Sequence, residues 1–142
     1  MTEPVRFNFT EINPSLGELG MMPYLPLTLA YQGRSIQQCG LLDTGASVNV
    51  LPYEVGLALG AVWEHQTVTV PLAGNLARSE ARAILITALI DRLNPVNLVF
   101  AWTKARNAPL VLGHMNFFLE FDVCFYRTDL TFEIKARRGL DR

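Results

Sequence analysis

Leu41-Leu42-Asp43-Thr44-Gly45-Ala46-Ser47 carries a carboxylate out of a strand-like apolar stretch and into a short polar turn. Asp is among the residues least often buried, so one that follows two leucines and leaves through Thr-Gly calls for a partner, a ligand or a reaction. Two such carboxylates facing each other can share one proton and so supply acid and base in one place. The plainer reading of Asp43-Thr44-Gly45 is a turn, with Asp capping and Gly supplying the backbone freedom. A given tripeptide turns up in a chain of this length about 3% of the time at average usage, so the surrounding sequence has to decide.

Upstream, Tyr24 to Tyr31 and Ser35 to Leu42 alternate around Gln32-Gly33-Arg34, which predicts a hairpin whose second strand delivers Asp43. Downstream, Pro52 to Gly60 has Pro near its start, apolar Val55, Ala58 and Leu59, and Gly at its end. That pattern predicts a short helix, with Gly56 as its weak point. The β-branched run Thr67 to Leu72, the turn signal Ala73-Gly74-Asn75 and the long strand-like stretch around Ala81 to Ile90 predict a second hairpin. Arg92 to Pro95 turns the chain, Val96 to Trp102 reads as a strand, and Lys104 to Asn107 as a polar loop. Leu110-Val111-Leu112-Gly113 is a second apolar run ending in Gly, Met115 to Phe121 predicts a helical turn or two, and Phe121 to Tyr126 with Leu130 to Ile134 a terminal hairpin. The class is mostly β with one or two short helices.

The chain has 142 residues, enough for one domain with a real core. Half of them are hydrophobic and 18% charged, an apolar balance that leaves surface to spare for an interface. A net charge of -1 and a pI near 6.1 give no basic face for nucleic acid or anionic lipid. Met1 to Gly20 has neither the basic start nor the apolar centre of a signal peptide, and no apolar run reaches the length of a membrane span. A cytoplasmic location is expected. Cys39 and Cys124 read as reduced core thiols, and with His65 and His114 they lack the short paired spacings of a metal site. No metal or other cofactor is expected. Trp63 and Trp102 read as core or interface residues.

Taken together, these pieces resemble the retropepsin-like, single-domain aspartic proteases, and in particular their bacterial members. Leu41 to Ser47 matches the catalytic loop of that family and Leu51 to Gly60 the short helix after it. Leu110-Val111-Leu112-Gly113 matches the second loop, and Val111 through Phe117-Phe118 and Phe121-Asp122-Val123 to Ile134 the closing helix and hairpin. The resemblance implies a closed β-barrel, one half of an acid protease, with a flap hairpin over residues 24-135. Met1 to Pro23 is then an N-terminal extension, an interface strand or a regulatory segment, and 136-142 a C-terminal tail. It also implies an aspartic endopeptidase acting on peptide or protein substrate, with Asp43, Thr44 and Gly45 catalytic. Ala46 and Ser47 would bind substrate backbone, Ala73, Gly74 and Asn75 would tip the flap, and Leu112, Gly113 and His114 would be structural neighbours of the site.

Asp91, Asp122, Asp129 and Asp141 lack a following Thr-Gly or Ser-Gly, so a second catalytic Asp has to come from a second copy of the chain. The expectation is a homodimer in which two Asp43 carboxylates activate one water, with acid-favoured activity. Two departures bear on it. His114 stands where retroviral members commonly carry Arg, and Ser47 where many carry Asp, so their ion pair between the two loops has no counterpart here. The flap segment holds only Gly74. The competing reading is a dimerisation or peptide-binding module of the same fold with weak or no hydrolysis.

Overall fold

The computed structural model describes residues 3-137. Val5 and Phe7 alternate with Arg6 and Asn8 in β1 (Val5–Asn8), the first strand of a small sheet. β2 (Thr10–Glu11) and β3 (Met21–Met22) then pair antiparallel and enclose a 3-10 segment, Pro14–Gly20. Asn13 starts that segment by accepting a hydrogen bond from the Ser15 amide on its side-chain oxygen.

β4 (Tyr24–Tyr31) and β5 (Arg34–Leu42) form the expected hairpin. Gln32 and Gly33, with φ of 47° and 86°, make its two-residue turn, the left-handed pair that matches strand twist. β4 turns Leu25, Leu27 and Leu29 inward, all of them buried. β6 (Asn49–Pro52) leads directly into α1 (Tyr53–Ala58), and Gly60 at φ 80° stops the helix. Gly56 has a packing reason: a Cβ there would lie 2.2 Å from Trp102 Cε2, so only glycine lets the indole lie against the helix. Ala58, expected on the apolar face, is exposed instead, while Leu59 fills the core.

The remaining barrel strands are β7 (Ala81–Leu89), β8 (Val96–Thr103) and β9 (Val111–Leu112). A short helix, α2 (Phe117–Glu120), and the terminal hairpin of β10 (Phe121–Tyr126) and β11 (Thr131–Ala136) close the chain. The barrel order is β4-β5-β9-β6-β8-β7, shut by β4 against β7. β1 and β10 flank β11 in the separate three-stranded sheet, so Val5 to Asn8 of the N-terminal segment pairs with the C-terminal strand. Of the tail at 136-142, Ala136 is the last residue of β11, and 138-142 lie outside the described residues.

The core runs from the barrel into the small sheet. Phe100, Trp102, Leu112, Phe117 and Phe132 have no exposed surface, and Trp63 packs edge-on to Trp102 at 5.1 Å. Both tryptophans are therefore core residues, as expected. The cysteines are not: Cys39 and Cys124 are free thiols on exposed faces, because Gly40 and Leu42 take the inward positions of β5 and β10 faces Cys124 outward. Period-two alternation decides this, and a short β-strand flips it with one residue of register.

The second hairpin is much shorter than the sequence suggests. Only Thr69 pairs with Arg82, flanked by Val70 N–H to Ala81 O at 2.9 Å and Ala83 N–H to Val68 O at 2.8 Å. From Leu72 to Ser79 no β-branched residue supports a strand, and a 3-10 turn, Gly74–Leu76, forms there with Gly74 at φ 66°. Among the described residues no helix is long and apolar enough to cross a membrane.

Candidate active site

Strand order fixes where Asp43 lies. β5 runs parallel to β9, pairing Leu41 with Val111 and Leu42 with Leu112, and β9 separates it from β6. The chain leaving Leu42 must therefore pass over the end of β9 to enter β6 at Asn49. Residues 43-48 are that crossing, and they are stitched to 112-115 along their length. Asp43 N–H donates to Leu112 O at 3.1 Å, His114 N–H to Ala46 O at 3.0 Å, Met115 N–H to Ser47 O at 2.9 Å and Asn49 N–H to Met115 O at 2.9 Å.

Gly113 sits under the crossing. A Cβ on it would lie 2.5 Å from Val48 O and 2.7 Å from Ala46 O, closer than real Cβ atoms come. The apolar-apolar-Gly sequence is thus what lets the two loops stack. Leu112 is fully buried and anchors the stack from below.

Within the crossing Asp43 is half-buried, with Thr44, Gly45 and Ser47 exposed and Ala46 half-buried. Asp43 Oδ1 accepts from Gly45 N–H at 2.9 Å, while its carbonyl accepts from Ala46 N–H at 3.0 Å. The carboxylate is held by its own loop in an Asx-type turn, so one oxygen is fixed and the other is directed elsewhere. The turn reading and the reactive reading of Asp-Thr-Gly therefore describe one geometry. No other carboxylate forms a hydrogen bond or ion pair with Asp43 among the described residues.

His114 braces the same loop. Its Nε2 lies 2.8 Å from Thr44 O, and since a carbonyl can only accept, Nε2 carries the proton. The ring packs against Phe118 at 5.1 Å. A single imidazole thus does locally what an ion pair between loops would do. The bond lies at the surface, so losing it costs about 0.5–1.5 kcal/mol of stability. We expect His114→Ala to lower the melting temperature by only a few degrees (about 2–6 °C), and His114→Gln, which keeps a donor, to recover part of that loss in the same melts.

Two amides that the sequence reading passed over hold the arrangement together. Asn49 is completely buried at the head of β6. Its Oδ1 accepts from Gly113 N–H at 2.8 Å, and its Nδ2 donates to Val99 O at 3.0 Å and Asn116 Oδ1 at 3.3 Å. Asn116 Oδ1 also takes the Val99 N–H at 2.9 Å. The signal was an Asn inside Val48-Asn49-Val50-Leu51, a polar residue where every neighbour is apolar. Asn49→Ala strands a buried amide and a carbonyl, so we expect it to lower unfolding free energy by about 2–4 kcal/mol in urea titrations.

Ala73, Gly74 and Asn75 are exposed and lie in the irregular connection before β7, with no hydrogen bond to the Asp43 crossing among the described residues. The structure therefore brings Leu112, Gly113 and His114 to Asp43. Among the described residues no three His, Cys, Asp or Glu side chains cluster as metal ligands would.

No protein-family model and no curated protein matches the sequence. Among solved structures, the chain is similar to a retropepsin-like aspartic protease from Rickettsia conorii, with a TM-score of 0.60 at 16% identity over 92% of this chain and 99% of that one. With its closed six-stranded barrel and the glycine-supported crossing that bears Asp43, the chain has the retropepsin-like fold.

Proposed function

We propose that the protein is an aspartic endopeptidase whose active site forms between two copies of the chain. The observation that carries this reading is the Asp43 crossing: a carboxylate with one oxygen fixed by the Gly45 amide, in a loop locked over Gly113. The fold similarity to a retropepsin-like aspartic protease supports it. With no second carboxylate hydrogen-bonded or ion-paired to Asp43 among the described residues, the partner group in this reading is Asp43 of another copy, related by a twofold axis.

Two carboxylates that close cannot both ionise readily, so the pair holds one proton. The ionised Asp43 takes a proton from a water held between them as that water attacks the peptide carbonyl carbon. The protonated Asp43 hydrogen-bonds the carbonyl oxygen and stabilises the charge that develops on it. The resulting tetrahedral adduct collapses by breaking the C–N bond, and the proton goes to the departing nitrogen. No covalent bond to the enzyme forms. Thr44 would brace the partner's loop, and Gly45, Ala46 and Ser47, being accessible, would meet an extended peptide by main-chain hydrogen bonds. The segment around Ala73-Gly74-Asn75 would close over it as a flap.

The test is a digest of an unbiased peptide library followed by mass spectrometry, across a hundredfold range of protein concentration. Internal cleavage whose specific rate rises with concentration and levels off as dimers saturate is the expected result. A rate strictly proportional to protein at all concentrations, from a protein that stays monomeric, would overturn the proposal.

A further inference from the structure

The connection from Thr67 to Ser79 has little to hold it from within. None of its residues is buried, and its internal bonds are short-range, Ala77 N–H to Gly74 O at 3.2 Å and Ser79 N–H to Leu76 O at 3.1 Å. Its backbone meets β7 only at its base, through the Val70 and Ala83 amides on either side of the Thr69 and Arg82 pair. Few buried contacts and short-range bonds place such a segment at the low-stability end of a fold.

Both ends of the connection nevertheless converge on one side chain. Arg82, half-buried on β7, donates from Nη1 to Trp63 O at 2.9 Å and to Gln66 O at 3.2 Å, in the turn that precedes the connection. From Nε it donates to Glu80 Oε2 at 2.9 Å, on the residue that follows it. Its Cζ stands 4.6 Å over the ring of buried Trp63, and Lys104 Nζ stands 4.7 Å from the same ring. Trp63 in turn packs edge-on to Trp102, so this anchor reaches the core. The Glu80 end is pinned a second time, because the fully buried Thr103 donates from Oγ1 to Glu80 O at 3.0 Å. A planar guanidinium can serve two carbonyls, a carboxylate and an indole face at once, and lysine reproduces only part of that.

We propose that Arg82 is the clasp of a hinged flap. It fixes two pivots, at Gln66 and Glu80, and residues 67-79 swing between them over a peptide at the Asp43 loop. The flap half of this rests on the endopeptidase reading, and the clasp half does not. Pinned ends turn the opening of a weakly held segment into a hinge motion rather than local unfolding, and the arginine sets how readily it opens. Arg82 is thus a positioning residue that acts through the segment it holds.

The experiment reads amide hydrogen exchange and steady-state kinetics in full-length wild type, Arg82→Ala, Arg82→Lys and Glu80→Gln. In Arg82→Ala the Val70 and Ala83 amides should exchange roughly tenfold to a hundredfold faster, the effect of losing charge-assisted bonds. The Leu41 and Asp43 amides, which donate to Leu110 O and Leu112 O, should keep their wild-type rates. Arg82→Lys should recover part of the loss, and Glu80→Gln, which removes only an exposed ion pair, should change exchange by less than about threefold. On one cleaved peptide, Arg82→Ala should raise KM about tenfold and alter kcat by less than about threefold, because closure weakens while the chemistry at Asp43 does not. Unchanged exchange at Val70 and Ala83, or rates that rise together at all four amides in both Arg82 variants, would overturn the clasp. Faster exchange at Val70 and Ala83 with an unchanged KM would overturn the flap and leave the endopeptidase reading intact. A wild type that cuts no peptide would overturn the endopeptidase reading and the flap together, with exchange still deciding the clasp.

Discussion

On the proposed endopeptidase reading, Asp43→Asn protein should fold and associate like the wild type but hydrolyse peptides at least roughly a thousandfold more slowly. Asparagine has nearly the shape of aspartate and keeps an oxygen for the Gly45 amide, which Asp43 Oδ1 now engages at 2.9 Å. The loop therefore stays closed. What is lost is chemical, because an amide neither takes a proton from water at neutral pH nor offers an acidic one to a carbonyl. Removing one member of a catalytic unit commonly costs as much as removing all of it. Library digests of wild type and variant at matched concentration, with melting curves for both, provide the check. A variant that cuts at the wild-type rate would remove Asp43 from the chemistry, and one that fails to melt cooperatively would call for repetition with Asp43→Ser before any catalytic conclusion.

Gly113→Ala should be strongly damaging for so small a change. The added methyl group would stand 2.5 Å from Val48 O and 2.7 Å from Ala46 O, and both obstacles are backbone atoms that cannot rotate away. Either the Asp43 crossing lifts off β9 or β9 drops into the barrel, where Leu112 is already fully buried. Overpacking of this kind costs about 2–3 kcal/mol, which for a chain of this size lowers the melting temperature by about 10 °C. Activity should fall further than stability does. A shift of about 1 Å in a reacting group can cost roughly a hundredfold in rate. Circular dichroism melts and turnover at 20 °C separate the two effects. Retention of both within a factor of two would show that the loops are not stacked as described.

The residues that were legible in the sequence are those whose local pattern and tertiary role agree. Alternation in Tyr24 to Leu42 gave the first hairpin because Leu25, Leu27 and Leu29 point inward with period two and Gln32-Gly33 suits a tight left-handed turn. Asp43 and Gly113 were legible for a similar reason, since each breaks an apolar run with a residue that an ordinary strand would not choose. The rest depended on contacts remote in sequence. Gly56 read as a weak point of the helix, and its purpose appears only with Trp102, 46 positions later, lying against it. The cysteines looked like core residues by composition, whereas strand register faces both outward. Residues 67-72 carry a β-branched signal that the chain uses for one bridge and then abandons. Asn49 is the clearest case: a lone amide among valines cannot reveal that its partners are the Gly113 amide and Val99 carbonyl.

The N-terminal segment shows the same limit from the other side. The family resemblance covers residues 24-135 and sets Met1 to Pro23 apart as an extension. In the folded chain β1 completes the sheet with β11, and Pro23 bonds to the residue before Asp43. That position relative to the carboxylate is one that no local pattern encodes.

The central claim is that the site exists only between two copies of the chain, and subunit mixing tests it most directly. Wild-type and Asp43→Asn chains are combined in increasing proportions at fixed total concentration, left to exchange, and assayed on one cleaved peptide. If each site needs an Asp43 from both chains, activity falls as the square of the wild-type fraction, so an equal mixture retains about a quarter of the starting rate. A linear fall, with half the rate at an equal mixture, would mean that one chain carries a complete site and would contradict the account.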